Sequence, residues 1–412
     1  MAASCRVLKV LGLAMVLFPY LVPSHDYHDT SGQSAGVACP PPVDDDIAWP
    51  SHNSPWTHPP DCEHSTDRAS KFCVYTHSGH GPRGWSIITS PETAADSIAF
   101  LSKPMNASRM GHPQQSPPPY KVVDIPGKGK GLVATRAIKQ YEEILVDYAT
   151  VLVDIAFASK VPAILGYRLL HTAVDQLADP ASVLELGKSN GLARDEVENV
   201  LRTNGFHTPL GGEPHIAVYP AVSVTDGWRQ RINHACKPNA YTRFMTDSLQ
   251  VSIAAAKDIP AGEEITISYI ILGQPSTTRA TKLQQWGFTC QCPLCTAPQA
   301  EIDASDARRQ QIETLREHAV RAFQAGRPYQ ALRFTRQVVG LLPGEELFPL
   351  YGEAYENLAR IFYVLRDRTN AEKYANMSLA VLAAQGYVTG EEERGYLERM
   401  WARFEEEEGG RY

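Results

Sequence analysis

The chain has 412 residues, enough for two or three ordinary domains, and its 43% apolar and 21% charged residues are a globular balance. Its net charge of −7, from 39 Lys and Arg against 46 Asp and Glu, excludes a broadly basic surface and argues against nucleic acid as a direct partner. Mild acidity suits a basic peptide, but it is also the commonest solubility device and names no partner by itself.

In chain order, residues 1–24 read as a signal peptide. Arg6 and Lys9 give a positive start, residues 10–22 are mostly apolar, and Pro23 opens polar sequence. The apolar run is too short, and too interrupted by Pro19, for a membrane span, and no other segment is a candidate. Such a leader points to the secretory pathway; the alternative locations are the nucleus and the cytoplasm. Asn106-Ala-Ser and Asn376-Met-Ser are glycosylation sequons, a pattern that also arises by chance. Residues 25–118 are Pro-rich and read as partly disordered, with a short strand or hairpin over 72–88 and a Pro/Ser/Gln linker over 102–119.

From residue 120 the pattern is β-rich. Residues 120–125 and 132–135 read as strands around a tight Gly-Lys-Gly-Lys-Gly turn at 127–131, followed by strands at 143–146 and 151–153. Residues 155–203 switch to helical periodicity, carried by Leu165, Leu169, Leu170, Leu184, Leu192, Val197 and Leu201. Strands return at 216–218, 240–244, 249–254 and 264–270. From about residue 303 the chain is helical. Two segments beginning at Ala319 and Leu358 echo each other as helix, short turn and Ala-opened helix. The echo fits either a tetratricopeptide-like array with a slightly long spacing or a plain helical bundle. Residues 405–408 form an acidic, solvated tail.

The eight cysteines divide into groups. Cys5 lies in the leader. Cys39, Cys62 and Cys73 are odd in number, so one disulfide and one free thiol is the simplest oxidised state. Cys290, Cys292 and Cys295 crowd one loop, and Cys236 supplies a distant fourth thiol. Four thiolates make a closed tetrahedral zinc site, structural rather than catalytic. Disulfides within that set are the competing reading, disfavoured because Cys290 and Cys292 are too close to bridge easily.

Residues 231–239 read Arg-Ile-Asn-His-Ala-Cys-Lys-Pro-Asn, residues 264–269 Glu-Ile-Thr-Ile-Ser-Tyr, and residues 290–295 Cys-Gln-Cys-Pro-Leu-Cys. The glycines at 127–131 are neither a Walker loop nor a dinucleotide fingerprint, and alone they read as a β-turn. In this order and at these separations, the motifs resemble the core of SET-domain protein-lysine methyltransferases. The match is closest to the SET-and-MYND class and its fungal relatives. The resemblance implies an α+β fold: a β-rich SET domain over 119–270 with a helical insert at 155–203, a post-SET zinc segment at 271–297, and a helical, tetratricopeptide-like domain over 298–412.

It also implies S-adenosylmethionine and structural zinc as cofactors, and a protein with an accessible lysine as substrate. Lys128, Gly129, Lys130, Asn204, Asn233, His234 and Phe288 take the cofactor positions, Tyr269 the catalytic one, and Cys236, Cys290, Cys292 and Cys295 hold zinc. For Tyr269 and Phe288 the competing reading is ordinary packing; for Asn233-His234 it is a capped turn. Two features depart from the family. No MYND finger is present, and residues 224–230 intervene between Ser223 and Arg231, where relatives run from Ser straight into Arg-Ile-Asn-His. That insertion motivates the alternative function, a SET-fold adaptor that has lost turnover and recruits partners through its helices.

Overall fold

The computed structural model describes residues 54–101, 117–187, 193–210, 212–220, 224–225, 228–229, 232–245, 249–385, 398 and 401–402. The leader, Cys5, Cys39, the Asn106 sequon and the acidic tail lie outside them. All described residues belong to one compact unit.

Three strands precede the β-rich pattern: β1 (Asp61–His64), β2 (Lys71–His77) and β3 (Trp85–Thr89), followed by α1 (Pro91–Leu101). Next come β4 (Tyr120–Ile125), β5 (Gly129–Ala134), β6 (Glu143–Tyr148) and β7 (Val151–Asp154). The helical insert is α2 (Phe157–Lys160), α3 (Ala163–Asp175), α4 (Ala181–Leu184) and α5 (Glu196–Asn204). Then follow β8 (Gly205–Leu210), β9 (Glu213–Val218), β10 (Val224–Thr225), β11 (Trp228–Arg229), β12 (Asn233–His234), β13 (Ala240–Met245), β14 (Gln250–Ala255) and β15 (Glu264–Ile267). The chain continues through α6 (Ser276–Leu283), α7 (Gln299–Gln324), α8 (Pro328–Glu345), α9 (Tyr351–Val364) and α10 (Arg368–Ala384).

The strand or hairpin expected over residues 72–88 is a hairpin, β2 with β3. It enters a six-stranded sheet of order β1-β2-β3-β7-β9-β8, with β3 parallel to β7. The sheet therefore runs across the boundary that composition suggests at residue 119. Strand alternation explains how both faces are covered. Val151 and Val153 of β7 pack with Phe72, Val74, Ile88 and the α3 residues Leu169, Leu170 and Val174. Leu152 turns the other way, towards Trp85, Ile87, Leu132, Ile253 and Ile265. The helical insert is thus the lid of one face, and the remaining strands cover the other.

Two smaller sheets complete the β framework, a four-stranded one of order β12-β15-β5-β4 and a three-stranded one of order β13-β14-β6. The inserted segment forms its own antiparallel ribbon, β10 with β11, outside all three sheets. Ile232, just after the insertion, is buried in the core.

The C-terminal helices form two hairpins that repeat each other. Ala325, Gly326 and Arg327 donate to Arg321, Phe323 and Ala322; Leu365, Arg366 and Asp367 donate to Ile361, Tyr363 and Phe362, the same pattern offset by 40 residues. Gly326 and Arg366 both take left-handed backbone, at φ 68° and 63°. Ala331 and Ala371 follow these turns and are fully buried, because a small residue lets the helices approach closely. No helix among the described residues is long and apolar enough to cross a membrane.

Candidate functional site

The site is built where β12 pairs in parallel with β15, in the register Asn233 with Thr266 and His234 with Ile267. The parallel pair lasts two residues and must then be held by side chains. Asn239 does this: its Nδ2 donates to the Glu264 carbonyl at 2.9 Å and to Glu263 Oε1 at 2.8 Å, and its Oδ1 accepts from the Thr266 N–H at 2.8 Å. The closing Asn of the 231–239 motif therefore staples the loop to β15.

Asn233 Nδ2 donates to the Lys130 carbonyl at 3.1 Å and to Glu264 Oε1 at 2.8 Å. Gly131 makes this approach possible. A Cβ there would lie 2.7 Å from Ile125 Cγ1 and 2.8 Å from Asn233 Nδ2, closer than packed atoms tolerate. The Gly-Lys-Gly-Lys-Gly turn and the Asn-His motif are thereby brought together. The lysine side chains of the turn are already matched by carboxylates: Lys128 Nζ lies 2.7 Å from Glu264 Oε2, and Lys130 Nζ 2.7 Å from Asp124 Oδ1. Lys128 thus joins the site through Glu264, which also accepts from Asn233, while Gly129 takes left-handed backbone at φ +76°.

His234 is the hinge of the arrangement. Its Nδ1 accepts the Tyr269 N–H at 3.0 Å, which leaves Nε2 as the protonated nitrogen, 3.3 Å from Cys236 Sγ. Burial pushes the His234 imidazole down to about 4, so it stays neutral and keeps this tautomer at ordinary pH. Tyr269 is fixed at both ends, because its hydroxyl donates to the Ile232 carbonyl at 2.7 Å. Its ring lies 5.4 Å from Trp286 and from His234, and 6.2 Å, edge-on, from Phe288. Phe288 also lies 6.4 Å from His234 and is 37% exposed, so one aromatic face at the site stays open.

Asn204 is placed differently. It ends α5, buried, and its amide donates to the Leu186 and Val200 carbonyls and to Thr203 Oγ1. None of its hydrogen bonds reaches Asn233 or Tyr269; its helix flanks the site by packing on the 3-10 turn Gln284–Trp286.

The sulfur atoms of Cys236, Cys290, Cys292 and Cys295 lie within 4.8 Å of one another, and all four are unbridged. Hydrogen bonds from Cys236, Cys290 and Cys295 drive Cys292 towards thiolate, while Cys290, Cys292 and Cys295 drive Cys236 the other way. Four thiolates this close repel unless a cation sits among them, so the donor set fits a soft or borderline metal ion. Arg279, 2% exposed, supplies further positive charge, with Nη2 4.0 Å from Cys295 Sγ and Nη1 3.4 Å from Asp306. Burial opposes its charge, but Cys236 and Cys295 outweigh it and hold the guanidinium above its ordinary value. A Cβ added to Gly127 would meet Gln291 Oε1 at 3.4 Å, so the cysteine loop lies beside the glycine turn.

Sequence reasoning passed over Glu264, Asn239, Trp286 and Arg279 as individual site residues. Glu264 carried a signal, since a charged residue opening a strand otherwise buried over Ile265–Ile267 needs partners. Arg279 carried none, because only the fold brings it to the cysteines.

Comparison with known proteins matches residues 129–270 to the SET domain family. That segment is a SET domain. The chain is related to proteins named as lysine methyltransferases. It is 29% identical over 203 residues to the histone-lysine N-methyltransferase set5 of Schizosaccharomyces pombe, covering 47% of this chain and 56% of that protein. It is 35% identical over 85 residues to the protein-lysine N-trimethyltransferase SMYD5 of Gallus gallus, covering 20% of each. It is 38% identical over 69 residues to the histone-lysine N-methyltransferase SET5 of Saccharomyces cerevisiae, covering 16% of this chain and 13% of that protein. The chain thus spans about half the length of the fission-yeast relative and a fifth of the chicken one.

Proposed function

We propose that the chain is a protein-lysine methyltransferase that uses S-adenosylmethionine and holds a structural zinc ion. The observation that carries the reading is Tyr269, held by His234 through its N–H and by Ile232 through its hydroxyl, at the end of the strand paired with Asn233-His234. A rigid phenol beside a partly open aromatic face suits alignment of an amine, and alignment is the main catalytic demand of an in-line transfer. The Asn233 side chain, the 129–130 backbone and the Phe288 ring would hold the cofactor. S-adenosylmethionine supplies an activated methyl group when bound.

The protein's own residues must present a neutral amine, whose free pKa is about 10.4. An apolar aromatic wall of Tyr269, Trp286 and Phe288 lowers that pKa by desolvation, so the lysine proton leaves before transfer. Cys236, Cys290, Cys292 and Cys295 would hold zinc in a closed site that fixes the loop carrying Phe288. The two C-terminal hairpins resemble a tetratricopeptide array and would help select a protein substrate through a concave face.

The test is calorimetric titration of the protein with S-adenosylmethionine, wild type against Asn233→Ala, followed by a methylation assay on histone and non-histone peptides. The expected result is micromolar binding lost in the variant, and methyl transfer by the wild type. Absence of binding in a folded sample overturns the reading. Binding without transfer to any peptide favours the adaptor alternative that the 224–230 insertion motivates.

A further inference from the structure

We infer that the C-terminal helices brace the reactive site from outside it: Arg309, gripped by Glu345, is a positioning residue that fixes the Cys236 turn and through it His234 and Tyr269. The kinetic consequence of this inference rests on the methyltransferase reading; the structural consequence does not.

Arg309 lies on α7, 73 residues from Cys236 in sequence, and is 1% exposed. Its guanidinium serves three separate segments. Nε donates to Glu345 Oε2 at 2.8 Å, Nη2 to the Cys236 carbonyl at 3.1 Å, and Nη1 to the Gln274 carbonyl at 3.3 Å. Glu345, at the end of α8, is fully buried and also accepts from Ser305 Oγ at 2.6 Å and Arg308 Nε at 2.7 Å. Lys237, next to Cys236, donates to the Gly344 carbonyl at 2.9 Å and stands 3.8 Å from Glu345. Residues 236 and 237 are therefore held from outside the sheets by the interior of α7 and the C-terminal end of α8.

Stability alone is a poor reason for this arrangement. A buried ion pair gives up most of its attraction to desolvation, and a well-packed apolar pair of similar volume often does as well or better. What only Arg provides is a rigid fork of donors that can hold three acceptors at fixed separations. One of those acceptors is the carbonyl of the residue whose sulfur meets His234 Nε2, and His234 in turn receives the Tyr269 N–H. A shift of the Cys236 turn would thus pass to the phenol. Misplacement of about 1 Å at a reacting group can cost on the order of 10²-fold in rate.

The test uses the full chain with Arg309→Lys, which keeps the charge but cannot reach all three acceptors. Hydrogen–deuterium exchange is read over residues 232–239 and over β14, with kcat and peptide KM measured alongside. We expect exchange at 232–239 to rise about tenfold, β14 to stay unchanged, and kcat to fall about tenfold with KM little altered. The double variant Arg309→Met with Glu345→Leu removes both members of the fully buried pair and leaves only the part-exposed Arg308 and Lys237 to turn to solvent, so it should fold and show the same loosening. Lys257→Met breaks the Lys257–Glu346 contact at 2.5 Å, another bridge to the same helix end, and should leave residues 232–239 at the wild-type rate. Unchanged exchange in Arg309→Lys overturns the inference, and so does equal loosening in Lys257→Met. A wild-type protein that binds no S-adenosylmethionine overturns the methyltransferase reading instead, while the exchange comparison still decides this one.

Discussion

Two cysteine sites in this chain differ in how the fold uses sulfur. Cys62 and Cys73 face each other on adjacent antiparallel strands, β1 and β2, and are joined as a disulfide. Cys236, Cys290, Cys292 and Cys295 come from two segments far apart in sequence, converge within 4.8 Å, and remain thiols. The first site needs only one strand register and closes a sequence separation of 11 residues. The second needs the turn after β12 and the 290–295 loop brought together by the tertiary fold. A cross-strand bridge is local insurance, whereas a thiol cluster is a checkpoint on the tertiary fold. The two sites also ask for opposite redox conditions, since disulfides persist where thiols oxidise.

The comparison breaks most sharply at the cluster. Cys236→Ser, or treatment with a strong chelator, should remove stoichiometric zinc and unravel the loop carrying Phe288, because structural zinc contributes about 10 kcal/mol or more in small sites. Metal analysis and loss of S-adenosylmethionine binding are the readouts; full zinc retention in the variant would refute the four-thiol site. Next in size, Tyr269→Phe removes the hydroxyl that donates to Ile232 and should lower turnover on the order of 10²-fold, with zinc content intact. Turnover within twofold of wild type would make Tyr269 a packing residue.

The disulfide should matter less. Cys62→Ser with Cys73→Ser is expected to cost about 2–3 kcal/mol in stability, read from denaturant unfolding, without changing zinc content or cofactor affinity. A loss of zinc there would show that the two sites are not independent.

The smallest effect is a titration in the turn between β2 and β3. Burial, with His77 nearby, pushes His80 down to about 4 from 6.5, so the folded protein keeps it neutral while the unfolded chain takes up its proton first. The stability this confers is complete above pH 6.5 and is lost as pH falls from 6.5 to about 4. Allowing for partial exposure, it amounts to about 1–2 kcal/mol. His80→Gln should flatten that part of the pH–stability curve relative to wild type, and an unchanged slope would rule out His80 as the source.

The elements most legible in the sequence were those set by local periodicity. The strand at 120–125, the helical run inside 155–203 and the echo between Ala319 and Leu358 all reappear as elements, and the strand expected over 264–270 reappears over Glu264–Ile267. The segment at 72–88 was legible as a strand or hairpin but not as a member of the main sheet, because parallel pairing of β3 with β7 leaves no mark in either strand. At the site, Asn233, His234, Tyr269, Phe288 and the four cysteines meet as a group, while Asn204 turns its amide into the helical insert and Lys128 turns its charge to Glu264.

What the sequence determined by itself was the inventory: a cysteine triplet tight enough to share one ion, a glycine turn open enough for close approach, and strands whose apolar residues fall on alternate faces. These follow from chain neighbours, through side-chain reach and the periods of helix and strand. Only the tertiary structure decided which charges meet. Glu264 joins Lys128 across 136 residues, and Arg309 joins Glu345 and the Cys236 carbonyl across 36 and 73. Such pairings depend on the order in which strands and helices stack, and a buried charge does not announce its partner in the sequence around it.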